Sequence, residues 1–152
     1  MIRTDKRLRL CYCLLVLNLA FIWGNSLLPG EVSDAFSDWV KELLASLFPG
    51  DGPEKQSGGL LRKIAHFTEF AALGMVLSWL FGMLQRGKSW PLICGGLAAC
   101  IDETIQMFVP DRGPSLKDVG IDSCGVIAGM ILLYIGHSYL RKRSAKLSLE
   151  DN

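Results

Sequence analysis

The chain has 152 residues, half of them hydrophobic and a fifth charged, with a formal net charge of +1. No nucleic-acid partner is expected, and four long apolar windows leave little chain for a separate soluble domain. The near-neutral total says little, because the sorting of charge along the chain carries the information.

The first window spans about residues 8–28, with Arg9 near its start as the only charge. About 20 apolar residues at a rise of 1.5 Å cross a hydrocarbon core of roughly 30 Å. A basic start could suggest a secretory signal, but the apolar stretch is too long and Asn25-Ser26-Leu27-Leu28-Pro29 is a poor cleavage site. The segment reads as a retained membrane anchor. Trp23 near its end reads as an interfacial anchor, and Pro29-Gly30 stops the helix.

Residues 31–48 read as an amphipathic helix. Val32, Phe36, Trp39, Val40, Leu43 and Leu47 recur at helical spacing, while Asp34, Ser37, Asp38 and Lys41 fill the other face. It is too short and too charged to span, and is expected to lie on the outer surface or to cover the mouth of the bundle. Pro49-Gly50-Asp51-Gly52-Pro53 and Ser57-Gly58-Gly59 then form a flexible lead.

The second span covers about 62–84, the third 90–109 and the fourth 118–139. Gly74, Ser78 and Gly82 share one helix face, and Gly125 and Gly129 repeat the interval. Small residues so spaced let helix backbones approach in lipid, and here they read as packing within the chain. Trp90 reads as an interfacial anchor. The five cysteines follow no metal or redox spacing and read as packing residues without a disulfide framework. His137 reads as interfacial.

Basic residues cluster in the amino-terminal tail, in Arg86-Gly87-Lys88 and in Arg141-Lys142-Arg143, while the other two links are mixed or acidic. The positive-inside rule then puts both termini in the cytoplasm. The expected fold is all-α: a four-helix transmembrane bundle in the bacterial cytoplasmic membrane, forming a single domain over residues 1–152, with an extra amphipathic outer-surface helix between spans one and two.

That orientation brings the polar residues of the spans to one level. Lys63, His66 and Glu69 fall in the outer third of span two, and Asp102, Glu103 and Gln106 in the outer third of span three. Asp118 and Asp122 open span four, with Asn25 and Ser26 at the matching level of span one and Arg112 on the loop above. His66 and Glu69, Asp102 and Gln106, and Asp118 and Asp122 are three or four positions apart, so each pair shares a helix face. Ionisable groups at membrane depth are costly and mark function by default. The set suggests a small acidic cavity opening outward. Clustered carboxylates raise one another's proton affinity and nearby cations lower it, which can divide acid and base roles. A histidine with several carboxylates is also a workable metal-ligand set; His66, Glu69, Asp102 and Glu103 would be the ligands of a divalent ion, and the cofactor itself stays open. The rival reading is a network of buried ion pairs, such as Arg112 with Asp118 or Lys63 with Glu69, that fixes helix register.

These same residues resemble the VanZ family of bacterial membrane proteins. The resemblance rests on Lys63-x-x-His66-Phe67-x-Glu69-Phe70-x-x-Leu73-Gly74, on Asp102-Glu103-x-x-Gln106-x-Phe108-x-Pro110-x-Arg112, on Ser115-x-x-Asp118-Val119 and on Gly125-x-x-x-Gly129. Asn25-Ser26 resembles the family's polar position near the end of span one. Two positions depart: Phe70 stands where the family usually has an aromatic hydroxyl, and Asp122 where it usually has an amide. The resemblance implies a multi-span membrane protein linked, in one branch, to low-level resistance to the glycopeptide teicoplanin. It assigns no reaction.

The leading expectation is a membrane enzyme, a hydrolase or group transferase, acting on a lipid or lipid-linked envelope head group. Glu103 or Asp102 would serve as base and His66 as acid or second base, oriented by Gln106 and Asp118, with Glu69 in the same constellation. Lys63 and Arg112 would hold a phosphate or carboxylate, with Ser115, Asp122, Asn25 and Ser26 as further substrate contacts. The alternative is a non-catalytic binder of a lipophilic glycopeptide, or a shield of its target. A third reading, an ion or proton carrier, needs a polar path through the inner halves of the spans, which they lack.

Overall fold

The computed structural model describes residues 2–47 and 58–150. The Pro-Gly run expected as a flexible lead falls mostly outside those residues. Within them the chain is all helical, in the order α1 (Ile2–Ser26), α2 (Gly30–Leu47), α3 (Gly58–Met83), α4 (Ser89–Gln106) and α5 (Leu116–Glu150). There is no strand among the described residues.

Three helices are long and apolar enough to cross a membrane, over Asp5–Ser26, Gly59–Met83 and Leu116–Ser144. Their outer faces carry exposed large apolar side chains, such as Leu17 (65% exposed), Ile64 and Tyr134. The polar residues Ser26, Asp102, Gln106 and Asp122 are instead fully buried. Apolar outside and charged inside reverses the usual soluble pattern and suits a lipid surround.

The expected third span is the exception. α4 has 18 residues, or about 27 Å at 1.5 Å per residue, and its C-terminal end carries Asp102, Glu103 and Gln106. It ends three residues before the expected boundary. Met107, Phe108 and Val109 close it with short turns, Phe108 N–H donating to Ile105 O and Val109 N–H to Gln106 O. Pro110 follows, and a residue before proline is driven out of the helical region. In the opposite sense, α5 continues well past 139, through the basic Arg141-Lys142-Arg143 segment.

α3 and α5 form the closest helix pair. A side chain at Gly74 would strike the Val126 backbone, one at Gly125 would sit 2.5 Å from Phe67 O, and one at Gly129 would strike Ala71 O. Gly95 brings α4 onto the same point, its missing Cβ 2.6 Å from Val126 Cγ2. The glycines thus serve packing within the chain. Gly82 does not share in this, since nothing lies within 4 Å of its Cβ position. Ile22, Phe70, Leu73, Leu77, Ala98, Ala99 and Val126 make the core where α1, α3, α4 and α5 meet. Trp23 packs against that core and donates from Nε1 to Ala98 O at 3.5 Å. It belongs to the helix interface, where the sequence suggested a membrane anchor. Phe70, with no hydroxyl to satisfy, is fully buried there. Trp90 is exposed and stacks on Phe81. The five cysteines are free, Cys11 buried against α3 with its thiol 3.6 Å from Val76 O.

α2 packs on α3. Its first residue is pinned to the α4–α5 turn, where Gly30 N–H donates to Pro110 O at 3.3 Å and Asp111 crowds the Gly30 Cα. Asp111 takes a left-handed backbone, φ 59°, a conformation that aspartate tolerates better than most residues.

Candidate functional site

The polar residues converge where the C-terminal ends of α1 and α4 meet the N-terminal parts of α3 and α5. Asp102 is the hub. Its Oδ1 accepts the Ser26 hydroxyl at 2.6 Å, and its Oδ2 accepts Gln106 Nε2 at 2.9 Å. Gln106 sits one helical turn after Asp102, so both point to the same side of α4. Its Oε1 accepts from Arg62 Nη2 at 2.7 Å. Three helices therefore hold one carboxylate through a chain of hydrogen bonds.

His66 faces this hub. Its Nδ1 lies 3.7 Å from Asp102 Oδ2 and 3.6 Å from Asp122 Oδ1. The His66 side chain is 12% exposed, and both aspartates are fully buried. Neither Asp122 oxygen has a hydrogen-bond partner, nor does His66 Nδ1. Such groups are costly to bury unsatisfied. They border a cavity of about 120 Å³ whose lining includes Arg62, Lys63, Asp118 and Ile121. The lining is of mixed charge, with Arg62 and Lys63 beside His66, Asp118 and Asp122.

Of the other expected residues, Lys63 and Asp118 line the same cavity, while Glu69 and Glu103 each give one oxygen to a neighbour and keep the other, Oε2 and Oε1, buried without a partner. Glu69 accepts from Asn25 Nδ2 at 2.9 Å, so its hydrogen-bond partner is the α1 amide, where the rival ion-pair reading offered Lys63. Glu103 points toward the start of α5, where its Oε2 accepts the Ser115 backbone N–H at 2.7 Å. Ser115 caps α5, its Oγ facing the Asp118 N–H at 3.4 Å, the usual way a helix start satisfies a free amide. Asp118 lines the cavity from the first turn of α5. Lys63 is exposed at the rim. Arg112 is half-buried on the α4–α5 turn, and its Nε lacks a partner. Burial pushes its guanidinium pKa down, and Arg62 pushes the same way; Asp102, Asp34 and Glu103 oppose them. The two guanidinia and these carboxylates therefore share one electrostatic neighbourhood, with Asp34 contributed by α2.

Arg62 is the residue that sequence reasoning passed over. Lys63 drew attention through its motif position, yet Arg62 stands four residues before His66 and so shares its helix face. That spacing was the available signal. The metal-ligand set also differs from the expected one. Ligand atoms of His66, Asp102 and Asp122 lie within 4.8 Å of one another, while Glu69 and Glu103 are turned to Asn25 and Ser115.

Residues 9–137 match the family described as VanZ/LLP1. The chain belongs to that family. No curated protein and no solved structure gives a significant match. The VanZ/LLP1 match runs from the first apolar helix into α5 and so contains every residue of the polar centre.

Proposed function

We propose that this VanZ/LLP1 protein is an enzyme of the bacterial cytoplasmic membrane that acts on the polar head group of an envelope lipid or lipid-linked intermediate, at a pocket in the extracytoplasmic leaflet. The observation that carries the proposal is His66 Nδ1 set 3.6–3.7 Å from two buried carboxylates, Asp102 and Asp122, beside a cavity with Arg62 and Lys63 in its lining. An imidazole between carboxylates is suited to proton transfer. Guanidinium and ammonium groups in such a lining are suited to a phosphate or carboxylate, the first as a bidentate partner and the second as a point charge. His66 is the acid–base centre, with Asp122 and Asp102 setting its charge. Gln106, Ser26 and Arg62 position Asp102. Glu103 positions the α4–α5 turn through Ser115.

In this reading α4 is a fourth span, and both termini face the cytoplasm. Its 18 residues are short, but it packs against α1, α3 and α5, and its charged end is turned inward. Basic residues in the amino-terminal tail, at Arg86 and Lys88, and at Arg141–Arg143 all fall on the side that the positive-inside rule assigns to the cytoplasm. The link to teicoplanin resistance would follow from an altered envelope head group.

The test compares lipid extracts, by mass spectrometry, from cells with the protein, without it, and with His66→Gln at equal membrane abundance. A head-group change that appears with the protein and vanishes with His66→Gln is the expected result. Identical lipidomes would overturn the enzyme reading. The second reading, a non-catalytic binder or shield, draws on α2, whose exposed Val32, Trp39 and Leu43 lie on the helix beside the polar centre. A binder keeps part of its protective effect when His66 is replaced.

A further inference from the structure

A hollow of about 620 Å³ lies at the other end of the helices among Trp79, Phe81, Met130 and Tyr134, and acyl chains of any bilayer would fill it without specificity. The polar centre carries more. We propose that His66, Asp102 and Asp122 form a binding site for one divalent first-row cation, with open coordination positions toward the cavity. The three ligand atoms come from α3, α4 and α5 and lie within 4.8 Å of one another. Ligand atoms about 2.1 Å from a common ion stand roughly 3 to 4 Å apart, and the two His66–carboxylate separations are 3.7 and 3.6 Å.

The independent observation is Asp122. Its side chain is fully buried, both of its oxygens lack a hydrogen-bond partner, and one lies 3.6 Å from the unpartnered His66 Nδ1. Asp102 is treated differently: Ser26 and Gln106 donate to it, as outer partners commonly do for a metal-bound carboxylate. One carboxylate is thus pre-oriented, and the other is left with its lone pairs free beside an imidazole nitrogen. Two carboxylates and a neutral imidazole sum to two negative charges, which one divalent cation neutralises. Mixed oxygen and nitrogen donors suit Mn²⁺ or Zn²⁺ better than the all-oxygen cations. The inference stands whether the protein is an enzyme or a binder, but it replaces the acid–base role given to His66 above, because a ring nitrogen bound to the cation has no proton to transfer.

The experiment uses Mn²⁺, because the five free thiols would compete for softer metals. The full chain, purified in detergent and stripped with a chelator, is titrated with Mn²⁺ and followed by electron paramagnetic resonance. About one bound Mn²⁺ per chain is expected, with echo modulation from a single imidazole nitrogen. Asp122→Asn should weaken binding by about 100-fold or more, the upper range for outer partners and so a floor for a ligand. His66→Gln should remove the nitrogen modulation. The nitrogen signal in the unaltered protein stands even if a variant fails to fold. Absence of bound Mn²⁺, a bound ion without the nitrogen signal, or unchanged affinity in a folded Asp122→Asn would each overturn the site. The triad would then be an imidazolium held between two carboxylates.

Discussion

The Ser26 hydroxyl donates to Asp102 Oδ1 over 2.6 Å, joining the last residue of α1 to the polar end of α4 across 76 positions of sequence. Both groups are fully buried. Ser26→Ala leaves a buried carboxylate oxygen without its donor. That loss is expected to destabilise the fold by about 1–3 kcal/mol. A lowered melting temperature in detergent, with Ser26→Thr closer to the parent, would bear this out. An unchanged melting curve for Ser26→Ala would show the bond to be dispensable.

Arg62 and Lys63 are neighbours in sequence with different consequences. Arg62 Nη2 holds Gln106 Oε1 at 2.7 Å, while the Lys63 side chain is exposed at the rim. Arg62→Ala should therefore lower both stability and function, and Lys63→Ala should leave stability within about 0.5 kcal/mol. Thermal melts of the two variants, run beside the lipid comparison, separate them. Equal loss of stability would contradict the assignment.

The α3–α5 seam has no room at Gly129, where a side chain would strike the Ala71 backbone, and open space at Gly82. Gly129→Ala is expected to cost about 1–3 kcal/mol through forced backbone shifts. Gly82→Ala should be neutral or slightly stabilising, since alanine favours the helix. Denaturation in mixed detergent would rank them; the reverse order would place the seam elsewhere.

Gly30 faces the α4–α5 turn so closely that an added Cβ would lie 2.6 Å from Asp111 O. Gly30→Ala should push α2 off that turn. Faster hydrogen exchange across α2, with α3 and α5 unchanged, is the expected readout. Unaltered exchange would mean that α2 is held by its contact with α3 alone.

The fourth span has a direct test. If α4 crosses the bilayer, cysteines introduced at Gly87 and Ser115 in a cysteine-free background are labelled from opposite faces. Labelling of both from the same face would remove α4 from the membrane and, with it, the common side assigned to the two termini.

Much of the architecture was legible. The apolar windows predicted three helices that the structure confirms as long and apolar enough to span, because length and hydropathy are local properties. The amphipathic period predicted α2 over 31–48, and the helix runs Gly30–Leu47. Gly74, Gly125 and Gly129 were readable as packing glycines from their interval. Helix ends were less so. α4 stops at Gln106, ahead of the Val109-Pro110 step where a helix could not continue, and α5 continues past the expected border because nothing in its basic tail breaks a helix.

By itself, the sequence determined which residues are polar in an apolar chain and, through three- and four-residue spacing, which of them share a face. It could not determine which face meets which. Only the packing of α3, α4 and α5 against one another decided that Asp122 stands beside His66, that Glu103 turns away to the Ser115 backbone, and that Arg62 rather than Lys63 reaches Gln106. The physical reason is that periodicity and the glycine interval mark which face of a helix can pack closely, whereas which helix packs there is decided between segments distant in sequence.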